Sequence, residues 1–464
     1  MVERALGMEE VVHAWRRWGA VALLGTLVLA TTPSPHRGAA VAATWPDRDA
    51  GWFTEDLAAA ERVGALLDEN GLGVENAERA PMGASLRDAR AAAPAALATF
   101  PARALGYRTG AAEIAVESTA SGHDLLVEVR GRRADGHWTE WRGAPSPTGG
   151  RSRRVVLPVP VDQLQVRIGL GPSAAREDAR VSAVRLRPRV GAAERRALPA
   201  EPFSARLYAT RIGREGEITA NGHEIRVADR FAALPSRRPL AARDGGEYVV
   251  RVCGEQRCAY VPVWDVGPWN VKDDHWNARR EMWTDLPRGK PQAQAAYEES
   301  YNGGVDGFAR DVLDPAGIDL ADGTFQEVLG AERGGWVDVD YLWTGRISHP
   351  VHLGAENGGT VELRSQPRSG ARQVGSAASG VVVDVACRVH GDEMSGPRGT
   401  EDEWYRLAAG EYVPAVFAEE DADVEVCGTA GETTVPDEAP PHHAPLAPAG
   451  SVADDEGARR PIVQ

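Results

Sequence analysis

The chain of 464 residues carries 67 acidic against 52 basic side chains, a formal net charge of -15. That excess of anions argues against nucleic acid as the main partner, because phosphate binding needs a cationic surface. A content of 43% hydrophobic and 26% charged residues fits a folded soluble protein and excludes wholesale disorder, and the length is that of roughly two to four domains.

The N-terminus, residues 1–43, reads as an export signal. Arg16 and Arg17 precede an apolar run from Gly19 to Ala30, and Ala40, Val41 and Ala42 offer a small-residue cleavage site. The run is too short for a comfortable transmembrane helix, which needs about 20 residues. A secreted or cell-wall-associated protein with no stable membrane span after cleavage is the expectation. The four cysteines, Cys253, Cys258, Cys387 and Cys427, all lie in the C-terminal half. In an exported chain an even count implies disulfides, and four cysteines allow three connectivities. Cys253 and Cys258 flank a four-residue turn between strand-like runs, so a hairpin brings them within bridging reach. The expected pairs are 253–258 and 387–427. No metal site is expected, since no histidine or second cysteine pair stands at structural-zinc spacing, and no cofactor is implied.

Residues 44–190 form a first block, expected to be a β-sandwich with a less readable N-terminal part. Thr54 to Asn70 has the apolar spacing of a helix (Leu57, Val63, Leu66, Leu67). From Ala111 the period changes to two, and short alternating runs separated by Gly, Pro and Ser follow to Leu186. Trp138 and Trp141 are read as core packing at a hairpin end rather than as a carbohydrate face. A second β-rich block spans 203–345, with strands at Tyr248–Val252, Tyr260–Trp264 and Trp336–Trp343 and helical segments at Gln292–Tyr301 and Asp319–Leu329. A third covers 350–428, with short strands in small-barrel spacing. Residues 429–464 are rich in Pro, Ala and acids and read as a disordered tail. The fold class expected is mainly β: a sandwich, a barrel and a smaller barrel in series.

The sharpest stretch is Val261 to Asn270, VPVWDVGPWN, where an apolar strand runs into an acid and a Gly-Pro turn. Thr219-Ala-Asn-Gly222 and the Leu234-Pro235 pair lie upstream, and Asp319-Leu320 lies downstream before a short helix. In that order these pieces resemble the double-psi β-barrel of the rare-lipoprotein-A and expansin-like proteins, over about 140 residues. The resemblance implies that Asp265 is the catalytic or ligand-binding acid and that Asp319 is the acid of the Asp-Leu motif. Glu224 lies one position late relative to the family's Gly-Glu, a slot His223 occupies, and Phe231 stands where some lytic members carry histidine. The segment from Val271 to Pro315 is long for the family.

Physically, a glycosidic bond breaks through an oxocarbenium-like transition state that needs an acid at the leaving oxygen. Asp265 with a raised pKa beside Trp264 and Trp269 suits that role, with Glu224 a second candidate. Flat indoles stack on sugars, which makes Trp264, Trp269, Trp276 and Trp283 candidate substrate contacts together with Asp319. Trp276 and Trp283, set in charged sequence, are the surface candidates, and Asp273, Asp274 and Asn277 are candidate hydroxyl partners. Trp336 and Trp343 fall on opposite faces, so at least one is expected to be buried.

The third block resembles a bacterial SH3-like (SH3b) domain in Val361-Glu-Leu-Arg-Ser-Gln-Pro367, Gly396-Pro-Arg-Gly399, Trp404-Tyr-Arg-Leu407 and Gly410-Glu-Tyr-Val413. Such domains usually bind peptidoglycan or its cross-bridges. The expected partner is therefore peptidoglycan or another cell-wall glycan. The activity expected is that of a weak lytic transglycosylase, or of a non-catalytic, expansin-like wall-loosening or adhesion protein.

Overall fold

The computed structural model describes residues 51–428 apart from 76–93, 123, 146–151, 172–173, 175–177, 191–192, 194–197, 256, 331–332 and 356–357. The stretches read from sequence as an export signal (1–43) and a disordered tail (429–464) lie outside the described residues. The described chain is mainly β, as the alternating runs predict.

Ten strands form the first sheet: β1 (Phe53–Thr54), β2 (Glu61–Val63), β3 (Ala65–Asp68), β4 (Gly71–Val74), β5 (Ala96–Thr99), β6 (Arg103–Ser118), β7 (Leu125–Arg132), β8 (Arg142–Gly143), β9 (Ser152–Leu170) and β10 (Val181–Arg189). The two longest, β6 and β9, are bulged where their register shifts between Ala104 and Ala111. Bulges bend strands, and each of these strands changes partner along its length: β9 pairs β6 with one part, and β5 and β7 with its C-terminal end. The sheet wraps a core of its own that includes Phe100, Leu105, Ile114, Val129, Leu157, Leu164 and Ile168.

The helix expected over 54–70 is not formed. A single 3-10 turn (Leu57–Ala59) leads into β2 and β3, which are separated by Gly64 at φ 62°. Glycine reaches that conformation without a Cβ clash, so the chain breaks there instead of continuing a helix. Val63 is buried against Leu240, Val266 and Val271 of the next block rather than on a helical face.

The second block contains β11 (Phe203–Arg211), β12 (Ala232–Leu234), β13 (Val249–Cys253), β14 (Cys258–Val266), β15 (Ala316–Leu320) and β16 (Gly335–Tyr341), with helices α1 (Gln292–Glu299) and α2 (Asp322–Val328). Their pairing closes on itself in the order β12, β15, β11, β16, β13, β14 and back to β12. Two of the six junctions, β11–β15 and β12–β14, are parallel. Alternation along the strands fills the ring with Leu207, Ala209, Val250, Val252, Val261, Val263, Ile318, Leu320, Val337 and Val339. The intervening residues therefore face outward, and on β14 a register irregularity, in which Val263 and Asp265 pair with the consecutive Ala232 and Ala233, turns Asp265 to the outer face as well.

The third block holds β17 (Pro350–His352), β18 (Thr360–Arg364), β19 (Gln373–Ala378), β20 (Val382–Gly396), β21 (Gly399–Leu407) and β22 (Tyr412–Pro414), paired in the order β19, β18, β22, β21, β20, β17. It is joined to the closed ring edge to edge. β19 pairs β14 in parallel, Cys258 to Gly375 through Tyr260 to Ala377, and one hydrophobic core runs through both. Both expected disulfides are formed: Cys253–Cys258 across the β13–β14 hairpin, and Cys387–Cys427, which ties β20 to the segment after β22. Among the described residues no helix is long and apolar enough to cross a membrane.

The first block docks on the ring through Trp138 and Trp141. The guanidinium groups of Arg130 and Arg167 lie 4.4 and 4.2 Å from the centroid of the Trp141 ring, whose indole donates to the Leu240 carbonyl at 3.1 Å. Arg130 pairs with Glu247 at 2.8 Å, and the Tyr248 hydroxyl donates to the Thr139 carbonyl. These tryptophans are packing residues, as the hairpin-end reading has it.

Candidate functional site on the outer face of the barrel

Ala233 of β12 is the register partner of Asp265 on β14 and of Asp319 on β15, and Asp319 is in turn the partner of Thr210 on β11. Registered neighbours point to the same face, so Thr210, Asp319, Ala233 and Asp265 form one row across four strands. With only a methyl group at Ala233, the row leaves a cavity of about 210 Å³ between the two acids, rimmed further by Arg214, Pro268, Trp269 and Asp314.

The elements on either side fix each carboxyl. Thr219 to Gly222 forms a tight turn: the Thr219 hydroxyl donates to Asn221 Oδ1 at 2.6 Å, and Gly222 closes it at φ 92°. The Ala220 N–H of that turn donates to Asp265 Oδ1 at 2.8 Å, and the Val266 N–H donates to the same oxygen at 2.9 Å. Asp265 Oδ2 has no hydrogen-bond partner among the described residues. Asp265 is buried, which disfavours its charged form and outweighs those two donors, and Asp319 adds repulsion; its pKa is pushed up to about 7. Burial likewise lifts Asp319 to about 6, against the hydrogen bond it accepts from Thr210. One row thus presents two buried cavity-lining carboxyls with raised pKa values, each held through Oδ1 and with Oδ2 unpartnered among the described residues.

The other expected site residues divide. Trp269 lines the cavity: the chain turns through a cis Gly267–Pro268 bond, Trp269 sits at φ 60°, and its indole donates to Asp314 Oδ1 at 3.1 Å. Arg310, anchored on Asp306, donates to the Trp269 carbonyl, so the long 271–315 segment holds this rim residue in place. Trp264, one position before Asp265, lies outside the cavity lining; it stacks on Phe231 and donates to the Gly245 carbonyl. Glu224 is exposed and also lies outside the cavity lining.

Trp276 is not a surface residue. It is fully buried, stacked on Tyr341, with its indole donating to Glu140 at 2.6 Å. The charges around it turn inward: Asp273 pairs with Arg280 and accepts from the Gln292 N–H, while Asp274 pairs with Arg238. Asp273 and Asp274 are therefore occupied inside the protein rather than presented to hydroxyls, and Asn277 donates to Glu140 and Asp274. Trp283 is half-buried, edge-on to Tyr301. Trp343 is buried and Trp336 is exposed; Trp343 lies in a 3-10 turn (Leu342–Thr344) just past the end of β16, not on the strand itself.

Thr210 was not among the candidates. The alternation of Ala205, Leu207 and Ala209, all buried, is the signal that puts it on the outer face. Tyr208 and Trp336, paired across β11 and β16 and 5.7 Å apart edge to face, share that face, and Tyr208 packs on the cluster containing Trp269.

Residues 203–340 match the model of a domain of unknown function, DUF8814. That range is the closed ring, from the first residue of β11 to the penultimate residue of β16. No curated protein and no solved structure matches the chain.

Proposed function

We propose that the barrel is a glycan-directed site of a secreted, cell-wall-binding protein, with Asp265 as its acid and peptidoglycan strands as the substrate class. The observation that carries this reading is the row itself: a buried carboxyl with a pKa of about 7 and one free oxygen, facing an open polar cavity opposite a second carboxyl. The resemblance of the ring to rare-lipoprotein-A and expansin-like barrels, and of the following block to SH3b domains, supports the same direction. The two disulfides suit an oxidising compartment.

In the reaction proposed, protonated Asp265 gives its proton through Oδ2 to the glycosidic oxygen as that bond breaks. The sugar's own 6-hydroxyl attacks the oxocarbenium-like carbon, and its proton returns to Asp265. The products are an anhydro-sugar end and a new free hydroxyl, so no water and no second nucleophile is consumed. Ala220 and Val266 hold Oδ1 so that the proton resides on the oxygen facing the cavity. Asp319, fixed by Thr210, faces the positive charge that develops on the sugar, and Trp269 offers a rim for a ring face.

Co-sedimentation of the full chain with purified sacculi tests the partner. Retention that Trp269→Ala weakens supports it, and failure to bind sacculi contradicts it. Binding through Asp265 and Trp269 with no product released favours the non-catalytic, wall-loosening alternative.

A further inference from the structure

His223 is clasped at both ring nitrogens. Nδ1 lies 2.8 Å from Asp244 Oδ1 and Nε2 lies 2.7 Å from Asp229 Oδ2. Ionised carboxylates only accept hydrogen bonds, so both contacts are satisfied together only when both nitrogens carry a proton. The remaining surfaces of the ring meet uncharged groups: Trp264 at 4.6 Å between centroids and Phe231 at 6.3 Å. The Asp229 hydrogen bond, with further help from Asp244 and against partial burial, raises the imidazole above its ordinary pKa.

The same residue closes the turn that holds Asp265. The His223 N–H donates to Thr219 Oγ1 and Asn221 Oδ1, and its carbonyl accepts from the Thr219 N–H. Between those anchors lie Ala220, whose N–H donates to Asp265, and Asn221, whose N–H donates to the Trp264 carbonyl. We propose that His223, as an imidazolium clasped by Asp229 and Asp244, is the positioning residue that keeps the Ala220 N–H on Asp265 and so tunes the proton affinity of that carboxyl. The inference rests on reading Asp265 as a proton donor. It couples the two titrations: as the imidazolium loses its proton with rising pH, one of its two carboxylate contacts is lost, the turn slackens, and the hydrogen bond that lowers the Asp265 pKa is weakened, so that the carboxyl holds its proton to higher pH.

The test is NMR of the full chain labelled with ring-15N histidine and 13Cγ aspartate, for the wild type, His223→Ala, and the Asp229→Asn/Asp244→Asn double variant. Both His223 ring nitrogens are expected to be protonated at pH 7, and both variants are expected to move the Asp265 titration to higher pH. A bare His223 ring nitrogen at pH 7 overturns the proposal. So does an Asp265 titration unmoved in a folded variant, which would leave His223 a purely structural residue visible only in melting temperature. If His223→Ala does not fold, the double variant carries the test, and the wild-type nitrogen shifts decide by themselves if neither folds. None of these readouts uses glycan. A protein that shows them and yet ignores glycan therefore overturns the glycan reading alone.

Discussion

Asp265 and Asp319 are both register partners of Ala233, one on each side of it. At about 4.8 Å per strand spacing their backbones stand about 10 Å apart, with only a methyl group between them. This relationship makes the cavity, places both carboxyls on its walls and buries both. The electrostatic consequences follow from it.

The first is a pH dependence of stability. A carboxyl whose pKa is raised by folding stabilises the native state least when ionised. The native state is therefore most favoured below the unfolded value of about 3.9, and it loses stability as pH rises toward the folded value. For Asp265, raised to about 7, the window runs from about pH 4 to about pH 7; for Asp319, raised to about 6, it closes earlier. At about 1.4 kcal/mol per pKa unit, Asp265→Asn is expected to stabilise the protein at pH 8 by an amount on the order of 4 kcal/mol at most, and to change little at pH 4. Denaturant melts at the two pH values check this. A variant destabilised at both would make the carboxylate structural.

The disulfides close loops of different size. Cys387–Cys427 spans 40 residues and Cys253–Cys258 spans 5. The chain-entropy model gives about 4 kcal/mol for the first and about 2 kcal/mol for the second. Urea melts of the two paired Cys→Ser variants are expected to rank in that order. Equal losses would place the stabilisation in native packing instead.

Glu140, on the first block, accepts hydrogen bonds from the indoles of Trp276 and Trp343 and from the Asn277 amide. Removing that acceptor leaves buried donors without a partner, at about 1–3 kcal/mol for each group left unsatisfied. Glu140→Ala is expected to cost about 2–4 kcal/mol, read by chemical denaturation. A loss below about 1 kcal/mol would show that the block is held mainly by Trp141 and its two arginines.

Because β19 pairs with β14 and one core runs through both barrels, residues 203–428 are expected to melt as one unit. Differential scanning calorimetry of the full chain should give a single transition for the two barrels. Two well-separated transitions would make the third block an independent module.

Much of this was legible in the chain, for identifiable reasons. The run VPVWDVGPWN sets Asp265 at the end of an apolar strand before a Gly-Pro turn, and Asp319 stands likewise near the end of β15, so the placement of both at strand ends was readable. The hairpin disulfide follows from spacing alone. What misled was charge and local period. Around Trp276 the aspartates and arginines neutralise each other inside the protein, so a polar sequence surrounds a core indole. In residues 54–70 the apolar spacing fits a helix, but Gly64 and the docking of Val63 on the barrel decide otherwise. Parallel pairings such as Thr210 with Asp319 bring together residues 109 positions apart, and no local pattern reports them.

The most direct measurement is mass spectrometry of the products that the full chain releases from purified, peptide-stripped glycan strands near pH 6, wild type beside Asp265→Asn. The account predicts anhydro-ended fragments from the wild type and none from a folded Asp265→Asn, since an amide cannot give and recover the proton. Equal release of anhydro-ended fragments by both proteins would contradict it.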